Sequence, residues 1–443
     1  MKRVFAVILF LALGWLTAYG QTSNSKAGSG SVYSKLGVGF PVDGGSSGAK
    51  GIGLWGVSYE EPFVAGYVNP ALWGSTVYGM AAGSVSLQSF EASDLENTST
   101  NLLFSPNSFQ IQLPILRNEL GVSATLAPLT RSAFNQIEIR SQIIGTGSAR
   151  DTLFYQSQNQ GGGGINMLEL GAGWSINSNI AVGYAASLVF ASIDNEHSTI
   201  FASNEYNSVG YNIRTSGTGF GNRFGIQLKF PSLLSGGDQI NIGASVMLPV
   251  KINAERIEEA NKALPNGSFQ TVVTREGEGL GDGIIELPAI VNAGITYQAS
   301  RLLSFTTEGL YQNWSGFTYD FNPDEEQIAV DRYKVGMGLR YFPYISGSDK
   351  FLSGFKYRVG ASYDAGHLKI NGQRVETLMF SVGLGILSPS AFRPNSGTAS
   401  SFDISFEYGI RGTKDQNLVK ENIWGLRLSL NLAELFFYRP KLQ

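Results

Sequence analysis

His197 and His367 are the only two imidazoles in this 443-residue chain, which has no cysteine. A serine hydrolase needs a histidine base held by a partner group beside its nucleophile. Neither histidine has a serine or carboxylate at such a spacing: His197 falls in a long polar stretch and His367 near a predicted strand end. The missing cysteines remove thiolate metal sites and cysteine nucleophiles. Gly161 to Gly164 is followed by Ile165-Asn166, not by the Lys-Ser/Thr pair of a phosphate-binding loop, and reads as a flexible approach to a strand. Asp320, Asp324, Glu325 and Glu326 offer the oxygen donors that hard cations favour, but their spacing matches no calcium loop, and a solvated loop is the simpler reading. No catalytic residue, cofactor or metal is expected.

The more informative residues are charged and recur with a period of two. Arg332, Lys334 and Arg340 alternate with Tyr333, Val335, Met337, Leu339 and Tyr341, and Lys356 and Arg358 alternate with Phe355, Tyr357 and Val359. Asp403, Glu407 and Arg411 interleave with Phe402, Ile404, Phe406, Tyr408 and Ile410, while Arg427 sits among Trp424, Leu426, Leu428, Leu430 and Leu432. Alternation of this kind sets charges on one face of a strand and apolar groups on the other. Ionised groups on an inner face must be hydrated or paired, because burying one alone is costly. They could form an anion-attracting path or a salt-bridge lattice; the mixture of signs favours the lattice.

Strands are predicted at 76–90, 107–115, 118–130, 164–176, 179–193, 213–230, 238–255, 284–299, 302–315, 331–343, 354–370, 374–388, 400–412 and 421–435. Many reach ten residues, the length of a tilted strand crossing a bilayer, where soluble strands cluster near five or six. Tight connections at 116–117, 177–178 and 300–301 contrast with long polar ones at 131–163, 194–212 and 256–283, and 134–158 has room for an extra hairpin. Short turns at one end and long loops at the other characterise a transmembrane barrel, with the short turns periplasmic. Phe230, Tyr297, Trp314, Tyr341, Phe342, Tyr344 and Phe436-Phe437-Tyr438 fall near strand ends, as an interfacial aromatic belt requires. The fold expected is an all-β, antiparallel transmembrane barrel of about fourteen strands over residues 76–443.

Upstream, Lys2 and Arg3 precede the apolar run Val4 to Leu16, and Ala18-Tyr19-Gly20 supplies small residues for signal-peptidase cleavage before Gln21. No later apolar run reaches the roughly 18 residues of a spanning helix. Residues 21–75 comprise a polar lead-in and a glycine-rich stretch, Val32 to Phe63, with scattered large apolar groups and no clear period. Ahead of a barrel wide enough to hold it, such a segment reads as a lumenal plug. The surroundings are then the lipid bilayer and lipopolysaccharide of a bacterial outer membrane. A formal net charge of −3 speaks against a nucleic-acid partner.

Several motifs in order resemble the FadL-type outer-membrane transporters of hydrophobic compounds, as found in Bacteroidota. Asn69-Pro70-Ala71 is similar to that family's hatch tripeptide. Leu287-Pro288, followed by Trp314-Ser315, is similar to its mid-barrel hairpin, and Tyr357 to Tyr363 to a later strand. The resemblance implies fourteen strands, a hatch, and lateral release of a fatty-acid-like or other apolar ligand through a kinked third strand. Pro128, which cannot donate to a β-ladder, is the candidate kink. The resemblance leaves a second class open, because related barrels serve as non-transporting subunits of secretion or assembly complexes that bind protein cargo or partners.

Overall fold

The computed structural model describes residues 29–145, 151–202, 206, 208–263, 269–275, 279–344, 351–392 and 397–435. The expected signal peptide, most of the polar lead-in and Phe436 to Tyr438 lie outside them. Fourteen antiparallel strands form a closed barrel. They are β1 Gly79–Ser93, β2 Thr98–Leu116, β3 Leu120–Pro128, β4 Asp151–Ser175, β5 Ile180–Phe201, β6 Val209–Pro231, β7 Gln239–Met247 continuing as Val250–Ala263, and β8 Gly281–Leu287 continuing as Ile290–Gln298. They continue with β9 Leu303–Gln312, β10 Arg332–Tyr341, β11 Phe355–Asp364, β12 Thr377–Leu387, β13 Thr398–Arg411 and β14 Lys420–Glu434. The ring closes where β1 pairs with β14, from Gly79 opposite Glu434 to Ser93 opposite Lys420.

Most strands turn apolar residues outward, although Ile165, Met167, Val189, Ile193, Ile252 and Ile285 of β4, β5, β7 and β8 are buried in one cluster with Val38 and Trp55. Trp424, Leu426 and Leu430 are exposed, while Ser429 and Asn431 between them are buried. Such an apolar outer face is what lipid replaces water around. Phe230 and Tyr341 are exposed near the tight-turn end, as a belt requires, but Trp314 is buried and does not belong to it. The tight turns fall at 117–119, 176–179 and 299–302. The first uses Asn118 at φ 59°, a conformation asparagine tolerates.

Much of what composition marks as loop is sheet. β4, β5 and β6 run for 25, 22 and 23 residues, so most of 131–163 and 194–212 is paired strand, and β7 extends into 256–283 as far as Ala263. The extra hairpin is present: Phe134–Ile144 pairs with the far half of β4, from Phe134 opposite Gly161 to Ile144 opposite Asp151. These extensions stand beyond the roughly 9–11 residues that a tilted strand needs to span. Glycine, glutamine and serine are common there and read as loop, yet the backbone ladder does not require apolar side chains on either face.

Prolines interrupt the wall. β7 breaks at 248–249 and β8 at 288–289, facing each other between Met247 opposite Ile290 and Val250 opposite Leu287. Leu287-Pro288 is therefore a break inside the strand predicted at 284–299, because proline removes a ladder donor. Trp314-Ser315 does not end a strand either: β9 stops at Gln312, and Trp314–Gly316 is a 3-10 turn. Within the ring lies the segment 29–78, built from the 3-10 turn Val32–Lys35, the short helix Ser47–Gly51 and the 3-10 turn Pro70–Ser75. Its Ala49, Ile52, Leu54, Trp55, Val57 and Trp73 are almost fully buried.

Candidate functional site

The interface between this segment and the inner wall brings the sequence-predicted residues together. Inward glycines make room for it. At Gly338 and Gly360 a Cβ would run into the Ile52 carbonyl, at Gly383 into Gly51, at Gly243 into Val57, and at Gly183 into Pro70. Backbone thus packs on backbone around most of the ring.

The segment's three carboxylates all bond wall cations. Asp43 meets Arg332 and Lys334 at 2.8 and 2.7 Å. Glu61 meets Lys356 and Arg358 at 2.9 and 2.7 Å, and Glu60 meets Lys229 at 2.7 Å. Wall carboxylates complete the lattice: Asp364 binds Arg332, Asp403 binds Arg358 at 2.7 Å, Glu421 binds Arg411 at 3.4 Å, and Glu407 faces Arg427 at 3.7 Å. Burial alone would raise the Asp43 and Glu61 carboxyls, but the adjacent cations outweigh it and hold both well below the usual carboxylate range. Arg340 is buried beside the mouth at the tight-turn end, in a recess it shares with Tyr59, Glu61 and Lys229. Glu308 works differently. Its carboxylate accepts the backbone N–H groups of Trp55, Gly56 and Val57 at 2.9, 2.8 and 2.7 Å, pinning an irregular stretch that has no ladder of its own.

Asn69 ties three pieces together. Its Oδ1 accepts from the Ala71 N–H at 3.0 Å, capping the Pro70–Ser75 turn, and its Nδ2 donates to the carbonyls of Val57 at 2.9 Å and of Ile226 on β6 at 3.0 Å. Pro70 occupies the first turn position, where its missing N–H costs nothing. Ala71 is fully buried behind it.

Pro128 ends β3, and the chain then turns into the lumen: Thr130–Arg131 pairs with Phe40–Pro41 of the segment before re-emerging as Phe134–Ile144. Gly164 of β4, at φ 137°, lets this crossing approach, since a Cβ there would meet Thr130, while one on Gly163, at φ 94°, would meet Ser192 of β5, so the glycine run accommodates backbone. Along that seam, among the described residues, Thr98–Ser108 of β2 pairs only with β1, and Phe134–Ile144 only with β4. Across the opposite end from the tight turns, Trp314 packs on Phe317 at 5.2 Å and on His367 at 4.7 Å, and His367 meets Phe40 at 5.1 Å. Burial first, and Arg332 second, push His367 down to about 3. Trp314 Nε1 donates to Gln312 at 2.9 Å, and Ser315 accepts nothing from the cluster but takes its own N–H to Asp331 at 3.0 Å. The acidic run is structural too: Glu326 accepts the Tyr319 N–H at 2.6 Å and Asp320 the Ile284 N–H at 2.8 Å. Among the described residues no metal-binding cluster of His, Cys, Asp and Glu occurs.

Three cavities separate segment from wall. One, behind Pro128 and lined by Trp55, Val68, Met167 and Leu310 together with Asp43 and Arg223, holds about 50 Å³. A second, about 170 Å³, is lined by Asp43, Lys50, Arg332, Lys334, Glu407 and Arg427 among others. The recess around Tyr59, Glu61, Lys229 and Arg340 is the third, about 430 Å³. Asp43, Lys50, Glu61 and Glu308 were not singled out from sequence. The available signal was that 29–75 contains only three acidic residues, each with an inward cation to meet.

This geometry defines an outer-membrane β-barrel with its N-terminal segment packed into the lumen. The chain matches the BamG family over residues 1–443 and belongs to it. Solved structures share the fold. A Pseudomonas aeruginosa FadL homologue aligns at TM-score 0.55 and 11% identity, the CymD monoaromatic hydrocarbon channel at 0.50 and 14%, and the Pseudomonas putida toluene transporter TodX at 0.50 and 12%. In each case the match covers 90% of this chain and 99% of the other. No curated protein sequence matches.

Proposed function

We propose that this chain is a non-transporting barrel subunit of an outer-membrane assembly or secretion complex, with segment 29–75 serving as a fixed plug. The observation that carries this reading is the character of the space beside the plug. A cavity that takes up benzene measures on the order of 150 Å³ and is apolar. Here the spaces of about 50, 170 and 430 Å³ beside the plug all have charged groups in their walls: Asp43 and Arg223 in the first, Lys50 and Arg332 in the second, Glu61 and Arg340 in the third. An apolar solute crossing the lumen would have to part buried ion pairs such as Arg358 with Glu61, each costly to break. The tall extensions of β4, β5 and β6 supply an ordered surface of the kind a protein partner can dock on. The whole-length family match is to BamG, whereas the channels share the fold at 11–14% identity.

Uptake of small hydrophobic molecules is the second reading, and the open seam after Pro128 is what favours it. Toluene uptake into vesicles carrying the purified barrel separates the two. The subunit reading expects a rate equal to that of empty vesicles. A rate above that background, altered by replacing Asn69 and Pro70 with alanine, would establish a transporter.

A further inference from the structure

Lys50 sits on the short helix of the plug with its side chain directed into the 170 Å³ cavity. It is only 8% exposed, and among the described residues its ammonium has neither a hydrogen bond nor an ion pair, while its backbone bonds Ser46 and Gly53. Its acidic neighbours are already engaged: Asp43 by Arg332 and Lys334, and Glu407 by Arg427. Asp364 belongs to Arg332 and Glu421 to Arg411. Lys334 and Arg427 face Lys50 from β10 and β14, so two further cations point at the same space. Arg131 lines the same cavity, so its local charge is positive and short of counterions. A buried ammonium without a partner is unfavourable, and the deficit has a chemical remedy.

We propose that this cavity binds a small oxyanion of the phosphate type, held by Lys50 from the plug and by Arg427 and Lys334 from the wall. Cations from both bodies converge on one anion, so the ligand fastens the plug to β10 and β14. The volume suits a tetrahedral oxyanion with accompanying water, and Gln88, Asn107, Ser362 and Ser381 offer neutral polar groups for its remaining oxygens. Burial, then Lys334 and Arg427, push the Lys50 ammonium down to about 7, against the smaller opposing pull of Asp43 and Glu407. Binding therefore restores its proton, and at pH 8 anion and proton are taken up together.

The test is calorimetric titration of the full-length purified barrel with inorganic phosphate at pH 8, in two buffers of different ionisation enthalpy, against chloride at matched ionic strength. The expected result is saturable binding with uptake of a fraction of a proton. In Lys50→Met, checked for a folded barrel by heat-modifiable gel migration, affinity falls at least tenfold and proton uptake vanishes. Wild-type protein that shows no saturable binding beyond chloride overturns the proposal, as does Lys50→Met binding phosphate like the parent. Should Lys50→Met not fold, the wild-type proton count decides: binding without proton uptake at pH 8 removes Lys50 from the site.

Discussion

Glu61 neutralises two cations that are otherwise buried, Lys356 and Arg358, and Arg358 is shared in turn with Asp403. Glu61→Gln keeps the shape and removes the charge, leaving an excess of buried positive charge. It should destabilise the barrel by about 3–5 kcal/mol, measured by chemical unfolding in detergent. A loss near zero would mean that water reaches these groups. The pH dependence has the same sign at two sites but falls in different windows. Glu61 and Asp43 have folded pKa values below their unfolded ones, so their contribution is complete above about 4.3 and fades only in stronger acid. His367, held to about 3 when folded, leaves the unfolded chain binding more protons from its ordinary value of about 6.5 downward. Stability should therefore decline between pH 6.5 and 3, and His367→Phe, which suits the aromatic contacts of Phe40 and Trp314, should flatten that decline in melting temperature. An unchanged profile would place the acid sensitivity elsewhere. At this scale the sequence showed which charges face inward, because alternation is a property of each strand alone. It did not show which partners they take, since Asp43 and Glu61 lie some 290 residues from their cations.

The elements meet through positions that carry no side chain. Gly360 and Gly309 both lie within wall strands, but Gly360 faces Ile52 while nothing lies within 4 Å of a Cβ at Gly309. Gly360→Val should displace the plug or cost about 1–3 kcal/mol through overpacking, whereas Gly309→Val should leave unfolding unchanged. Equal effects would show that the segment is not seated as described. The fourteen strands were readable because lipid and lumen impose a strict alternation. Their lengths were not readable beyond the bilayer, where no apolar face is demanded and the Gln- and Gly-rich half of β4 resembles loop. Proline was half informative: Pro128 marks the true end of β3, but Pro288 and its counterpart Pro249 interrupt strands that resume immediately. A ladder broken by one missing donor recovers when neighbouring strands break at the same level.

For the whole molecule the wall fixes an orientation. Lys414 lies exposed in the 412–419 connection, at the end opposite Arg117 and Arg301 in the tight turns. Trypsin added to intact cells should cut after Lys414 and spare Arg117 and Arg301 until the envelope is opened; the reverse pattern would invert the molecule. The barrel was legible because its period repeats along the chain, and the packed lumen was legible only as a glycine-rich segment too apolar for a free tail. Whether that lumen serves a ligand or only holds the plug was not written in any motif, since Asn69 and Pro70 seat the segment in either case. The central claim is that the molecule works by what it binds beside it. Its most direct test is isolation of the native chain from its own membranes in mild detergent, with mass spectrometry of the intact assembly. The account predicts a stoichiometric complex with at least one other outer-membrane protein, of unchanged composition after Asn69→Ala. A lone barrel carrying an apolar small molecule, and no protein partner, would contradict it.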